Sequence, residues 1–180
     1  NWASRTKAPL IFHIQDNEYA ISTHKSEQTA GSVYSLVSGY ENLSRYEVDG
    51  TNFFETHLAF KQATERARRG KGPSVIISNV VRLLPHSSSD DQRKYRTQED
   101  LEKDLHRDPI LLFKNNCVKE GIFTETDIEI IGQQVNKQID EDAIWAEEQD
   151  HPQLETALNH IYSGENYGKE NDFTIIAERI

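Results

Sequence analysis

The chain has no methionine and a single cysteine, Cys117, among its 180 residues. One cysteine cannot build an intrachain disulfide framework, so packing must hold the fold, as in a reducing compartment. The missing methionine, including an initiator, suggests that the sequence is a piece of something longer. No apolar run approaches the ~20 residues needed to cross a bilayer. The opening Asn1-Trp-Ala-Ser-Arg5 lacks the basic-then-apolar pattern of a secretory leader. Positive charge is also scarce: 20 Lys and Arg stand against 30 Asp and Glu, for a formal charge of −10. That balance argues against a nucleic-acid partner. The one basic cluster, Arg66-Ala-Arg-Arg-Gly-Lys71, reads instead as the last turn of a helix. None of the seven histidines falls in an HxxxH spacing, so no zinc site is expected. Gly70-Lys-Gly72 has the flanks of neither nucleotide-binding fingerprint.

What the chain does contain is enough for one domain with a real core, or one and a half smaller ones. Residues 9–16 read as a buried strand that stops abruptly in Asp16-Asn17-Glu18-Tyr19. A mixed segment rich in hydroxyls follows, read as a short helix and loop. Arg45 to Val48 alternates as a short strand and closes on the turn signal Asp49-Gly50. Thr51 or Asn52 then caps a helix running to about Arg69, with Phe54, Leu58 and Ala63 expected toward the core. Gly70-Lys-Gly-Pro73 ends it. Ser74 to Val81 is the second clear strand, rich in β-branched residues as a doubly covered parallel strand should be. Strand, helix, strand in this order implies a right-handed crossover and a parallel sheet.

Beyond Arg82 the pattern changes. Residues 85–96 form a polar loop without periodicity, long enough to be functional. Helices are predicted over 98–106 and 110–119, separated by Asp108-Pro109, with Gly121 stopping the second. Thr124 and Asp127 resemble a capping box that starts a long helix. Its Ile128, Ile131, Val135, Ile139 and Ala143 form one stripe, read as a packing surface rather than a cofactor box. From about Asp150 the sequence is an acidic tail or linker.

In open α/β sheets ligands bind beyond the carboxyl ends of the strands. An Asn side-chain oxygen and a backbone carbonyl two residues later can both face a hard cation such as Mg²⁺, so Asn17 and Tyr19 are candidate ligands; the alternative is an ordinary polar turn. His86 follows the second strand, where an imidazole can donate to a phosphate or move a proton; the alternative is a solvated loop histidine. Asp90, Asp91, Tyr95 and Arg96 would order that loop by ion pairs and hydrogen bonds, or simply be solvated. Cys117 reads as a buried small hydrophobe, and His13 as a satisfied core or interface histidine.

Taken together, Asp16 to Ser22, Val48-Asp-Gly50, Glu65 to Pro73, Arg82, His86-Ser-Ser-Ser-Asp-Asp91 and Tyr95-Arg96 resemble the alpha subunit of thiamine-diphosphate-dependent 2-oxoacid dehydrogenases. The resemblance covers roughly residues 5 to 150. Ser89-Asp-Asp91 with Tyr95-Arg96 is more similar to the branched-chain, 2-oxoisovalerate type. It implies an α/β fold: the second half of a three-layer, mostly parallel thiamine-diphosphate-binding domain, followed by a helical C-terminal region. The divisions would be 1–85 for that half-domain, 86–97 for the active-site loop, 98–150 for the helical region and 151–180 for the tail or linker.

By resemblance, Asn17 would ligate Mg²⁺ through its side chain and Tyr19 through its carbonyl, and Ile21 would join them against the thiamine diphosphate. His86 would sit beside the diphosphate and assist acyl transfer to a lipoyl group. Arg82, Ser87, Asp90, Asp91, Tyr95 and Arg96 would order the loop at the mouth for the lipoyl domain. Ser87 matches a position that mitochondrial members phosphorylate, and a phosphate there would disorder the loop by repulsion.

The implied activity is oxidative decarboxylation of a branched-chain 2-oxoacid with acylation of a lipoyl group. The expected partners are a beta subunit or fused beta half, the lipoyl domain of the acyltransferase component and a small 2-oxoacid substrate, with no nucleic acid and no membrane. The expected location is the bacterial cytoplasm, or else the mitochondrial matrix. The alternatives are a pyruvate or acetoin dehydrogenase alpha subunit, or a non-catalytic assembly fragment. Four departures stand out: Asp16 replaces the first Asn of the usual pair, Glu18 a small residue, Gln15 an Arg, and Pro85 a Gly or His. The family's Gly-Asp-Gly, whose Asp is another metal ligand, would fall upstream of Asn1. The chain is therefore expected to be inactive alone.

Overall fold

A computed structural model describes residues 1–154 and Thr156. The expected tail, 151–180, lies largely outside the described residues. The chain divides into two compact units, Asn1–Glu129 and Ile130–Ile180.

The first unit is built on a parallel sheet. Strands β1 (Ile11–Asp16), β4 (Ser44–Asp49) and β5 (Ser74–Asn79) pair in the order β1-β5-β4, with Asp16, Asn79 and Asp49 level at their carboxyl ends. A two-residue hairpin, β2 (Tyr19–Ala20) and β3 (Thr23–His24), follows β1 directly. The sequence predicts the three long strands but reads the hairpin as loop. Its tip is Ile21-Ser22, without the Asn-Gly or Asp-Gly that marks such turns.

β5 is central, and Ser74 to Ser78 are all buried, as a strand covered on both faces should be. β1 departs from expectation. Among the described residues it pairs with β5 alone, and its Phe12, His13 and Gln15 are exposed rather than buried. An apolar run reports that some element covers a strand, but not whether the strand is central or at an edge.

Helix α3 (Phe53–Arg68) crosses between β4 and β5, capped by Asn52, whose side chain accepts from the N–H groups of Phe54 and Glu55. Ala59 and Ala63 bury against Ile76 and Val48, with Ile11, Tyr46 and Phe60 packed around them. Phe54 and Leu58, expected in the core, are instead 51% and 54% exposed. Alanines let the helix approach the sheet closely, which turns the larger side chains outward. Phe53 and Phe54 meet Phe113 of α5 (Pro109–Lys119), at ring separations of 4.7 and 6.0 Å. At the end of β4, Gly50 is required by close approach: a Cβ there would lie 2.4 Å from Val80 and 2.9 Å from Ser78.

The other face of the sheet is covered by the segment carrying a short helix, α2 (Val33–Leu36). There Arg45 lies 4.3 Å over the Tyr34 ring and donates to the Tyr34 carbonyl. The result is the α/β, three-layer parallel arrangement expected. α1 (Trp2–Thr6) precedes β1. α4 (Gln98–Leu105) begins in a reciprocal capping box between Thr97 and Asp100, and Pro109 sits in the first turn of α5, with Asp108 as its cap. Cys117 is 1% exposed, in keeping with its reading as a small hydrophobe.

α6 (Glu125–Glu147) opens on the expected Thr124–Asp127 bonds and supplies most of the described part of the second unit. Its Ile131, Val135 and Ile139 are exposed. No helix among the described residues is long and apolar enough to cross a membrane.

Candidate functional site

The carboxyl ends of β1 and β5 open onto a cavity of about 560 Å³ on the face of the sheet opposite α3. Ile14, Ile77 and Glu47, one row across the three strands, form part of its wall. Asp16 to Ala20, His24, Lys25 and the 28–33 segment supply much of the rest. Asn17 and Tyr19 thus line this cavity. Ile21 and His86 are not among its lining residues.

The hairpin is shaped by its own polar side chains. Asp16 Oδ1 accepts the Glu18 N–H and Asn17 Oδ1 the Tyr19 N–H, each at 3.0 Å, as Asp and Asn do in tight turns. The Lys25 N–H donates to the Glu18 carbonyl at 2.7 Å. Tyr19 and His24 are then a non-bonded pair, so the Tyr19 carbonyl points away from β3. Asn17 Oδ1 retains a second lone pair. Among the described residues no group of three His, Cys, Asp or Glu side chains is placed to hold a metal. The donors present are two neutral oxygens, which fits Mg²⁺ held partly by phosphate and water.

Sequence reasoning missed one feature of the hairpin. Lys25 Nζ lies 3.2 Å from Asp16 Oδ2 and 3.3 Å from Glu18 Oε1. Burial pulls the ammonium pKa down, but hydrogen bonds and charge from Asp16 and Glu18 outweigh it and raise the value, so the group is cationic. The pairing depends on the unsignalled turn at Ile21-Ser22, and so was invisible beforehand.

The hairpin is tied to the His86 loop by a chain of hydrogen bonds. Arg82 donates to the Ile21 carbonyl and to the Tyr95 hydroxyl, the hydroxyl donates to Asp90 Oδ2, and each distance is 2.6 Å. The same carboxylate oxygen accepts the His86 N–H at 2.9 Å. The Tyr19 ring is flanked by the Arg82 and Arg96 guanidiniums, 5.1 and 5.2 Å from its centroid, and approaches Tyr95 at 5.9 Å. Ile21 takes a φ of +55°, uncommon for a β-branched residue, and its carbonyl is the one that Arg82 holds. Arg96 is buried, bonded to the Arg82 carbonyl and to Gln92, and paired with Asp104 of α4.

Arg82, Asp90, Tyr95 and Arg96 are thus brought together. Asp91 acts separately, capping the turn Gln92–Lys94 and pairing with Arg93. Ser87 contacts Ser89, and the His86 side chain is exposed.

The bond from Tyr95, then that from His86, holds the Asp90 carboxyl below the ordinary value of 3.8. A depressed pKa contributes order that is fully present above 3.8 and lost as pH falls through the lower folded value. The protection of the amides at 86–90, taken relative to the intrinsic exchange rate at each pH, should therefore fall on acidification below that range. Asp90→Asn should show fast exchange at neutral pH with no further acid step. An identical acid step in both proteins would contradict this.

A profile of the family described as dehydrogenase E1 component matches residues 1–155. The chain belongs to the dehydrogenase E1 component family. It is 34% identical over 168 residues to a Bacillus subtilis protein named 2-oxoisovalerate dehydrogenase subunit alpha, covering 91% of this chain and 49% of that one. It is 36% identical over 126 residues to a Staphylococcus epidermidis pyruvate dehydrogenase E1 component subunit alpha, covering 69% and 34%. A Staphylococcus aureus protein of the same name is 35% identical over the same coverage. The chain thus spans between about a third and a half of the length of these relatives. Membership in the E1 family agrees with the resemblance carried by the Asp16–Ser22 and Arg82–Arg96 segments.

Proposed function

We propose that this chain contributes the Asn17–Tyr19 side of a thiamine-diphosphate site in a branched-chain 2-oxoacid dehydrogenase, and that the full protein decarboxylates the oxoacid and acylates a lipoyl group. The observation that carries the reading is the Asn17–Tyr19 hairpin lining a cavity at the carboxyl ends of parallel strands, tied through Arg82, Tyr95 and Asp90 to the His86 loop. Asn17 Oδ1 and the Tyr19 carbonyl would hold Mg²⁺, with Ile21 adjoining the cofactor. When bound, thiamine diphosphate supplies the electron sink for decarboxylation. The protein's own residues do the positioning. Asn17 sets the turn and presents its free lone pair, Arg82 fixes the hairpin tip, and Asp90 with Tyr95 holds the backbone of His86. The His86 imidazole, free of intramolecular bonds in the described structure, would manage a proton during acyl transfer.

The partners of this reading are a beta subunit or fused beta half and a lipoyl domain, working in the bacterial cytoplasm. Residues 1–85 would be the half-domain, 86–97 the active-site loop and 98–150 the helical region. Calorimetric titration of the full-length, assembled protein with thiamine diphosphate and Mg²⁺ tests it. Asn17→Ala should weaken binding by on the order of 10- to 100-fold, as loss of groups that orient a metal does. No binding by the unaltered protein, or equal binding by Asn17→Ala, would defeat the reading. His86→Ala should keep cofactor affinity and lose lipoyl acylation; unchanged flux would remove His86 from the chemistry. The 36% identity to pyruvate dehydrogenase alpha subunits supports pyruvate as the second substrate reading. Comparing turnover of 2-oxoisovalerate, pyruvate and acetoin on the same complex distinguishes the substrates.

A further inference from the structure

We propose that Lys25 is a phosphate-binding cation of this site, held ready between Asp16 and Glu18 and released toward the diphosphate when the cofactor enters. The inference rests on the thiamine-diphosphate reading above and adds a residue to it. Among the described residues that line the cavity, Lys25 is the one lysine or arginine, and it shares that lining with Asn17 and Tyr19. Asp16, Glu18 and Glu47 line the same cavity, so without Lys25 an anionic diphosphate would meet three carboxylates and no side-chain cation among the described lining residues.

The geometry holds the ammonium in place without using it up. Lys25 and Glu18 are a bonded pair across the hairpin, and Glu18 takes a left-handed φ of +68° next to Asn17. Asp16, at the end of β1, supplies the second carboxylate. An ammonium has three donors; one goes to Asp16 Oδ2 at 3.2 Å, and Glu18 Oε1 pairs with the charge at 3.3 Å. Donor capacity remains for a phosphoryl oxygen. The side chain is part exposed, so it can reorient without unpacking the core. Asp16 and Glu18 are then positioning residues. They hold the ammonium at the cavity, and they compete with phosphate for it.

The test uses the full-length, assembled protein with Mg²⁺ and calorimetric titration of thiamine diphosphate, inorganic pyrophosphate and unphosphorylated thiamine. Lys25→Met should weaken thiamine diphosphate and pyrophosphate by about tenfold or more, the loss of one charge-assisted bond, and leave thiamine unchanged. Lys25→Arg should stay within about threefold of the unaltered protein, because it keeps the charge. The salt dependence of diphosphate binding should become shallower in Lys25→Met. The double variant Asp16→Asn with Glu18→Gln should tighten both phosphate ligands, since the competing carboxylates are gone.

Equal diphosphate affinity in Lys25→Met would overturn the proposal. So would weakening in the double variant as large as in Lys25→Met, which would mean that the three residues only brace the hairpin. Failure of the unaltered protein to bind thiamine diphosphate while still binding pyrophosphate through Lys25 would overturn the cofactor reading and leave the role of Lys25 standing.

Discussion

Asp104→Ala in the full-length protein is expected to cost about 3–5 kcal/mol of stability, the general cost of removing one partner from a buried ion pair. The Arg96 side chain is 3% exposed and the Asp104 side chain 19%. Removing the carboxylate leaves a guanidinium buried beside the Tyr19 ring, with only the Arg82 carbonyl and the Gln92 side chain as neutral acceptors. Asp104→Asn should cost less, because it keeps an acceptor. Arg96→Met combined with Asp104→Leu should recover much of the loss, since no charge is then stranded. Urea unfolding of the four proteins measures this, and a loss below about 1 kcal/mol for Asp104→Ala would show that water reaches the guanidinium. The effect should extend to the site, because Arg96 also holds the Arg82 carbonyl.

Arg82→Met should uncouple the hairpin from the His86 loop. Arg82 joins the two segments with one fork: Nη1 on Ile21 and Nη2 on Tyr95. Charge-assisted bonds contribute about 1.5–3 kcal/mol each when well formed. Arg82 is only half-buried, so a combined loss of about 2–3 kcal/mol is the reasonable expectation, after allowance for screening by solvent. That corresponds to roughly 30- to 150-fold faster local opening. Amide exchange at 86–91 and at Tyr19–Thr23 should rise together, while β5 stays protected. Arg82→Lys should rescue little, because a single ammonium cannot span both acceptors as the planar fork does. Exchange that rises in one segment and not the other would break the claimed coupling.

These two arginines show where reading the chain in one dimension stops. The three long strands were legible because β-branched and apolar runs at those lengths have few alternatives. The cap at Asn52, the Thr97–Asp100 and Thr124–Asp127 starts and the stops at Gly70 and Gly121 were legible because their partners lie within four residues. The roles of Arg82, Asp90, Tyr95 and Arg96 as an ordered loop were implied by resemblance, but the hairpin residues that Arg82, Tyr95 and Arg96 meet lie more than 60 residues away along the chain. No local pattern carries such a pairing.

The face that α3 presents to the sheet also differs from the one its large apolar residues predict. Phe54 and Leu58 lie one turn apart on one face of the helix, whereas Ala63, nine residues from Phe54, lies on the opposite face with Ala59, so the three expected core residues cannot all face the sheet. The sheet took the face carrying Ala59 and Ala63 instead, because small side chains allow the closer contact. Composition likewise predicts a buried β1, although a strand's exposure depends on what pairs with it and covers it.

By itself the amino-acid sequence determined the parallel α/β class, the carboxyl-end location of Asn17 and Tyr19, and the family, because each rests on short-range pattern or on residue order. Only the tertiary structure decided that Lys25 sits between Asp16 and Glu18, that Arg82 joins hairpin to loop, and that β5 lies between β1 and β4. Each of those depends on a turn without a sequence signal or on contacts between distant segments, whose free energy appears only once the chain has folded.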